Sequence, residues 1–249
     1  MTDILLIVFV SISVFMASLF STVTGFGFAL VAVPFLMPVL GAHETVVFII
    51  FGTCLVKMIV LWNTRKHFEW HTVAVTVAGS VLGSLPGSYL LNAISPAYLQ
   101  ILLGTVLVIV LFMMGMHLDL SVKNKTVGRI TAGFLSGFSA ATTSISGPPV
   151  ALYFLTEGRD KLVTRANMCW IFAFGNIGTI MFSLALSGSS ISGDLMLLAA
   201  YVTLPMLLGT WIGERCFYKI NQHLFIRLTQ IFIVIGACTA LYPCITALL

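Results

Sequence analysis

Apolar runs of membrane-spanning length alternate with short polar connections along nearly all of the 249-residue chain. A bilayer crossing takes about 20 apolar residues. Six stretches approach or exceed that length: Thr45–Trp62, Thr72–Leu91, Ala97–Met116, Arg165–Ser187, Asp194–Gly213 and Leu224–Thr246. Two further apolar regions are interrupted. Ile4–Leu40 is broken at Thr24-Gly25-Phe26-Gly27, and Arg129–Thr156 at Ser144-Ile145-Ser146-Gly147-Pro148-Pro149. The longest polar connection, His117–Lys125, leaves no room for a soluble domain. Composition agrees with this pattern: 8% of residues are charged, against about 25% in an ordinary soluble domain. The pattern predicts an all-α polytopic membrane protein. The N-terminal MTDILLIVFV has no basic leader region and reads as a retained membrane segment.

The basic residues decide how the two broken regions cross. If each crossed once, the clusters Arg65/Lys66 and Lys123/Lys125/Arg129 would lie opposite Arg159/Lys161/Arg165 and Arg215/Lys219/Arg227. Cytoplasmic faces normally carry the excess of Lys and Arg, and that arrangement divides them almost evenly. If each broken region is instead a hairpin that enters and leaves on one face, eleven of the twelve basic residues fall on a single face. The remaining one is Lys57. Limb length agrees in the second region: at about 1.5 Å per residue, Arg129–Thr142 reaches roughly 21 Å and Pro148–Thr156 roughly 13 Å, short of a ~30 Å core. Ile4–Leu19, at about 24 Å, is nearly full depth.

The same charge count gives a topology with both termini on the outer, periplasmic side. It predicts two inverted repeats, residues 1–118 and 119–249, each a broken, re-entrant helix hairpin followed by three transmembrane helices. Short internal matches point the same way: at an offset of 120 Gly27 pairs with Gly147, and at 126 Gly83 pairs with Gly209 and Gly87 with Gly213.

Non-helical backbone at membrane depth survives where protein or water satisfies it, and inverted repeats bring such breaks to a midplane substrate site. A half-helix starting near Phe28 or Pro148 presents unpaired N–H groups and a positive dipole end, and Pro148 suits a first turn. Two such ends make an anion site. The expected substrate-binding residues are Thr24, Gly25, Phe26 and Gly27 at the first tip, and Thr143, Ser144, Ser146, Gly147 and Pro148 at the second. Thr22 adds a hydroxyl, and Phe26, Phe28 and Phe138 are candidate apolar gates. Close helix packing is the competing use of Gly25 and Gly27.

All eight carboxylates fall in loops or at span ends, whereas cation and proton carriers usually bury one. Lys57 is the one ionisable residue inside a predicted span, with snorkelling to the interface as its other reading. Asn176, mid-span, falls at Val56 under the 120 offset, beside Lys57. Arg129, Arg165 and Arg227 read as helix-start anchors at the cytoplasmic face. The five cysteines and five histidines form no ligand spacing, so no metal, cofactor or catalytic group is expected. The expected partners are a small anion and the lipid bilayer. Nucleic acid is excluded, and a homodimer is left open.

The first-segment TGFGFALVAVPFL, the second copy SGFSAATTSISGPPVALYFL and LGSLPGSYL resemble the TauE/SafE-type sulfite exporters over essentially the whole chain. The first tip departs from the family, having single glycines separated by Phe26 and Phe28. The resemblance implies a bacterial inner-membrane transporter, most simply an exporter, of sulfite or a related sulfur-containing anion such as an organosulfonate or thiosulfate. A passive anion channel and a non-transporting assembly subunit remain the alternatives at this point.

Overall fold

A computed structural model describes residues 4–40, 42–93, 124–143, 146–187 and 193–228, with single positions 230, 231 and 234 beyond them. The described elements are helices joined by short connections. They are α1 (Ile4–Thr24), α2 (Phe28–Leu40), α3 (Ala42–Thr64), α4 (Trp70–Ala93), α5 (Lys125–Thr143), α6 (Gly147–Thr156), α7 (Lys161–Ser187) and α8 (Gly193–Lys219). Helix resumes at Gln222. Four expected spans fall within α3, α4, α7 and α8, while Ala97–Met116 and most of Leu224–Thr246 lie outside the described residues.

The side-chain distribution is that of a protein dissolved in lipid. Leu5, Met58, Tyr89, Leu204 and Trp211 point outward, whereas Ser18, Thr22, Thr76, Ser84 and Thr210 are buried. Hydrocarbon gives helices no hydrophobic reason to associate, so small hydroxyl residues line their contacts. Most of these hydroxyls are satisfied on their own helices: Ser18 donates to the Phe15 carbonyl, Thr76 to Thr72, Ser84 to Val81 and Thr210 to Met206, while Thr22 Oγ1 has no partner among the described residues. Among the described residues, Leu5–Thr24, Trp70–Leu90 and Met196–Lys219 are long and apolar enough to cross a membrane.

The helices on either side of each break are in contact. The Phe9 and Phe35 rings, on opposite sides of the first break, sit 6.3 Å apart. At the second, the Tyr153 hydroxyl of α6 donates to the Lys125 carbonyl at the start of α5 (3.1 Å), and Arg129 lies 3.5 Å from Glu157.

The closest helix pairs are α4 with α5 and α1 with α8. Glycines permit the approach. Gly79, Gly83 and Gly87 face the backbone of Ile130, Phe134 and Phe138 in that order, and Gly209 and Gly213 face Phe15 and Leu19. The matching order means that the helices of each pair run parallel. The principal pairings also survive exchange of the two halves: α4 with α5 corresponds to α1 with α8, α4 with α7 to α3 with α8, and α1 with α2 to α5 with α6. The α3–α7 contact maps onto itself.

One expectation about a charged residue needs correcting. Arg165 does not start its helix at the interface. The helix begins at Lys161, and Arg165 is fully buried. Its Nη2 donates to Glu214, and its guanidinium lies 4.0 Å from the Phe217 ring centre. That pairing gives the charged end of α8 a partner inside the protein, so α8 runs on to Lys219 instead of ending at Gly213.

Candidate functional site

The first break is a turn that only glycine accommodates. Gly25 and Gly27 have φ of +85° and +93°, a region where a Cβ clashes with the backbone. The Thr24 hydroxyl closes the turn over its own chain, 2.9 Å from the Phe20 carbonyl and 2.6 Å from that of Phe26. The first backbone bond of α2 runs from Val31 N–H to the Gly27 carbonyl (3.2 Å). The N–H groups of Phe28, Ala29 and Leu30 therefore have no acceptor within their helix.

The second tip is built differently. Ser146 precedes α6 without a side-chain cap, and its carbonyl accepts from Ser136 Oγ at 2.8 Å. Pro148 and Pro149 occupy the first turn, and neither has an N–H. Gly147 is thus the one early N–H donor of α6, helped by the Ser146 hydroxyl. The two tips are unequal, with three backbone donors on α2 against one on α6.

The tips touch each other. A Cβ placed on Gly147 would lie 2.9 Å from both Cβ and Cγ of Phe26. Around this contact is a cavity lined by Ser21, Phe26, Gly27, Phe28, Ala29 and Leu30 of the first break and Ala140, Ser146 and Gly147 of the second. Ile49, Ile50, Thr53 and Lys57 of α3, with Phe172 and Asn176 of α7, complete it.

Of the expected site residues, Phe26, Gly27, Lys57, Ser146, Gly147 and Asn176 meet at this cavity. Thr24, Gly25 and Pro148 are buried beside these residues in the chain but do not line it. Ser144 lies outside the described residues, as does the side chain of Thr143. Phe138 packs against Gly87, away from the cavity.

Lys57 is 1% exposed. Its Nζ donates to the Gly25 carbonyl (2.8 Å) and Ser21 Oγ (3.1 Å), with the Ser21 carbonyl at 3.5 Å. The ammonium therefore sits on the electronegative C-terminal end of α1, where a cation is favoured. Asn176 is 8% exposed, and its amide side chain lines the cavity.

Sequence reasoning missed Ser21, Thr53 and Phe172 as cavity residues. Helical spacing carried the signal: Ile49, Thr53 and Lys57 lie at successive intervals of four, and Phe172 lies four before Asn176, so each set shares a face.

Two charge groups flank the cavity without lining it. Glu214 joins buried Arg165 to Asn63 Nδ2 (2.9 Å), and the Arg165 stem packs behind Gly25. At one end of the bundle, Arg159 bridges Glu69 and Glu157, and Arg129 reaches Glu157 and His71. Burial alone would raise the Glu69 carboxyl, but hydrogen bonds from Thr72 and Arg159, with the charge of Arg159, hold it below the usual carboxylate range.

No curated protein and no solved structure matches the chain. A family model described as "Sulfite exporter TauE/SafE" matches residues 10–242. With nearly the whole length matched, this multi-pass chain belongs to the TauE/SafE sulfite exporter family, whose members are membrane transporters and not enzymes.

Proposed function

We propose that the protein is a secondary transporter, working as an exporter, that carries sulfite or a related small sulfur-containing anion by alternating access. The anion is held between the tips of the two broken helices. One observation carries this reading: breaks from opposite halves of the sequence meet at one cavity that also receives Lys57 and Asn176. Orphan N–H groups, an ammonium and the NH2 of the Asn176 amide all offer donors, which suits an anion.

Alternating access needs two related halves that rock about the site. Repeats spanning 1–118 and 119–249 are supported by the exchange symmetry of the helix pairings. They are supported again by the glycine contacts: Gly83 and Gly209 are 126 residues apart, and the carbonyls they face, Phe134 and Phe15, are 119 apart. The parallel run of α4 and α5, taken with hairpins that return to their own faces, supports halves that are inverted. The positive-inside count is the support for both termini lying outside.

The test is sulfite counterflow in proteoliposomes, which a carrier shows and a channel does not. Gly147→Leu forces a branched side chain into Phe26, an overpacking of about 1–3 kcal/mol centred on the tip contact. Flux is expected to fall to the level of protein-free vesicles, with membrane insertion and monodispersity unchanged. Wild-type counterflow at that background level, or undiminished flux in the variant, would reject the proposed site.

A further inference from the structure

We infer that the cavity is charge-matched to a singly charged anion, such as hydrogen sulfite or an alkanesulfonate, and rejects dianions of similar size. The inference rests on the transport reading above and sharpens its substrate.

The argument is a charge count. Among the described cavity residues, Lys57 is the one ionisable group. The nearby guanidinium of Arg165 is neutralised by Glu214 and does not line the cavity. Helix dipoles add little net charge. Each break supplies an N-terminus of about +0.5 and a C-terminus of about −0.5, and these cancel to first order.

Lys57 is itself shared. Two of its N–H groups hold Gly25 O and Ser21 Oγ, and the third lies toward Ser21 O at 3.5 Å, the longest and weakest of the three contacts. That weakest contact is the one a substrate oxygen would replace, so one donor of one cation serves the substrate.

The other polar groups, Asn176, Ser146 and Thr53, are neutral groups that can donate, and Asn176 is more than nine-tenths buried. The rest of the wall is apolar, with Phe26, Phe28 and Phe172 prominent. Neutral donors orient an oxyanion but do not cancel a second charge. Desolvation cost rises with the square of the charge, so a dianion costs about four times as much to strip as a monoanion. It would then find one counter-charge, beside the α1 carbonyls that repel it. An apolar wall also suits an anion with an apolar stem.

The experiment uses the full chain in proteoliposomes at fixed pH, with the membrane potential clamped at zero so that charge does not alter the driving force. Uptake of labelled methanesulfonate is compared with uptake of labelled sulfate. The expected result is at least about tenfold faster methanesulfonate uptake. Sulfate uptake equal to or faster than methanesulfonate, with both above protein-free vesicles, overturns the charge inference and leaves the transport reading standing. Neither anion above that background overturns both. Thr53→Lys, which adds a second ammonium to the cavity, is expected to narrow the ratio. An unchanged ratio in a variant that still transports would also overturn the inference.

Discussion

Glu214→Ala is expected to destabilise the protein by about 3–5 kcal/mol, the usual effect of removing one partner from a buried ion pair. The reason is the position of Arg165. Its side chain is fully buried, and its Nε and Nη1 have no acceptor among the described residues. Glu214 is its counter-ion, and the Phe217 face contributes a weaker cation–π contact. Without the carboxylate, a guanidinium stays in the protein interior uncompensated. Thermal unfolding in detergent would measure the loss.

The double replacement Arg165→Met with Glu214→Leu should recover most of that stability, because it removes both charges and keeps volume. A Glu214→Ala midpoint matching the wild type would show that the pair carries no stability. The effect should reach the cavity too, since the Arg165 stem packs against Gly25 and the Gly25 carbonyl holds Lys57.

That pair shows what the sequence hid. Arg165 and Glu214 are 49 positions apart, and each stands at the end of an apolar run. Residues at such places usually anchor a helix at the interface, so no local signal separates an anchor from a buried ion pair. Lys57 and Asn176 were legible because a polar side chain deep in an apolar run has few inexpensive uses. The tips were legible for a similar reason. Glycine and proline punctuate a helix wherever they stand, and consecutive prolines inside an apolar stretch leave little alternative. Even the inequality of the tips could have been read from the letters, because Pro148 and Pro149 carry no N–H. The direction of the Lys57 amine could not. Snorkelling and turning inward need the same residue at the same place, and the choice depends on where the Gly25 carbonyl lies. Gly25 and Gly27 likewise looked alike in sequence. Both are turn glycines by φ, yet Gly25 also packs tightly on Met168 and Arg165 while Gly27 faces the cavity.

Gly137→Leu should do more damage than any cavity substitution, because it strikes backbone on both sides. A Cβ at this position points into the Ser80 carbonyl and would lie 2.6 Å from Ser80 C and 2.8 Å from its Cα. Neither atom can move without moving α4. Gly133 meets Thr76 in the same way, and Gly79 and Gly83 approach α5 from the other side. The contact is therefore a continuous seam, and a leucine in it separates the helices along several turns. In lipid, that close packing is most of what holds two helices together. A cost of about 3 kcal/mol or more is expected, read as a lower midpoint in a denaturing-detergent titration and as poor recovery of monodisperse protein. Leu135→Ala, two residues away with an exposed side chain, should leave the midpoint nearly unchanged. If Gly137→Leu and Leu135→Ala unfold together, α4 and α5 are not in backbone contact. The α7 position at the cavity would then need another support, since Ser80, the residue under Gly137, also packs its hydroxyl against Gly175, next to Asn176.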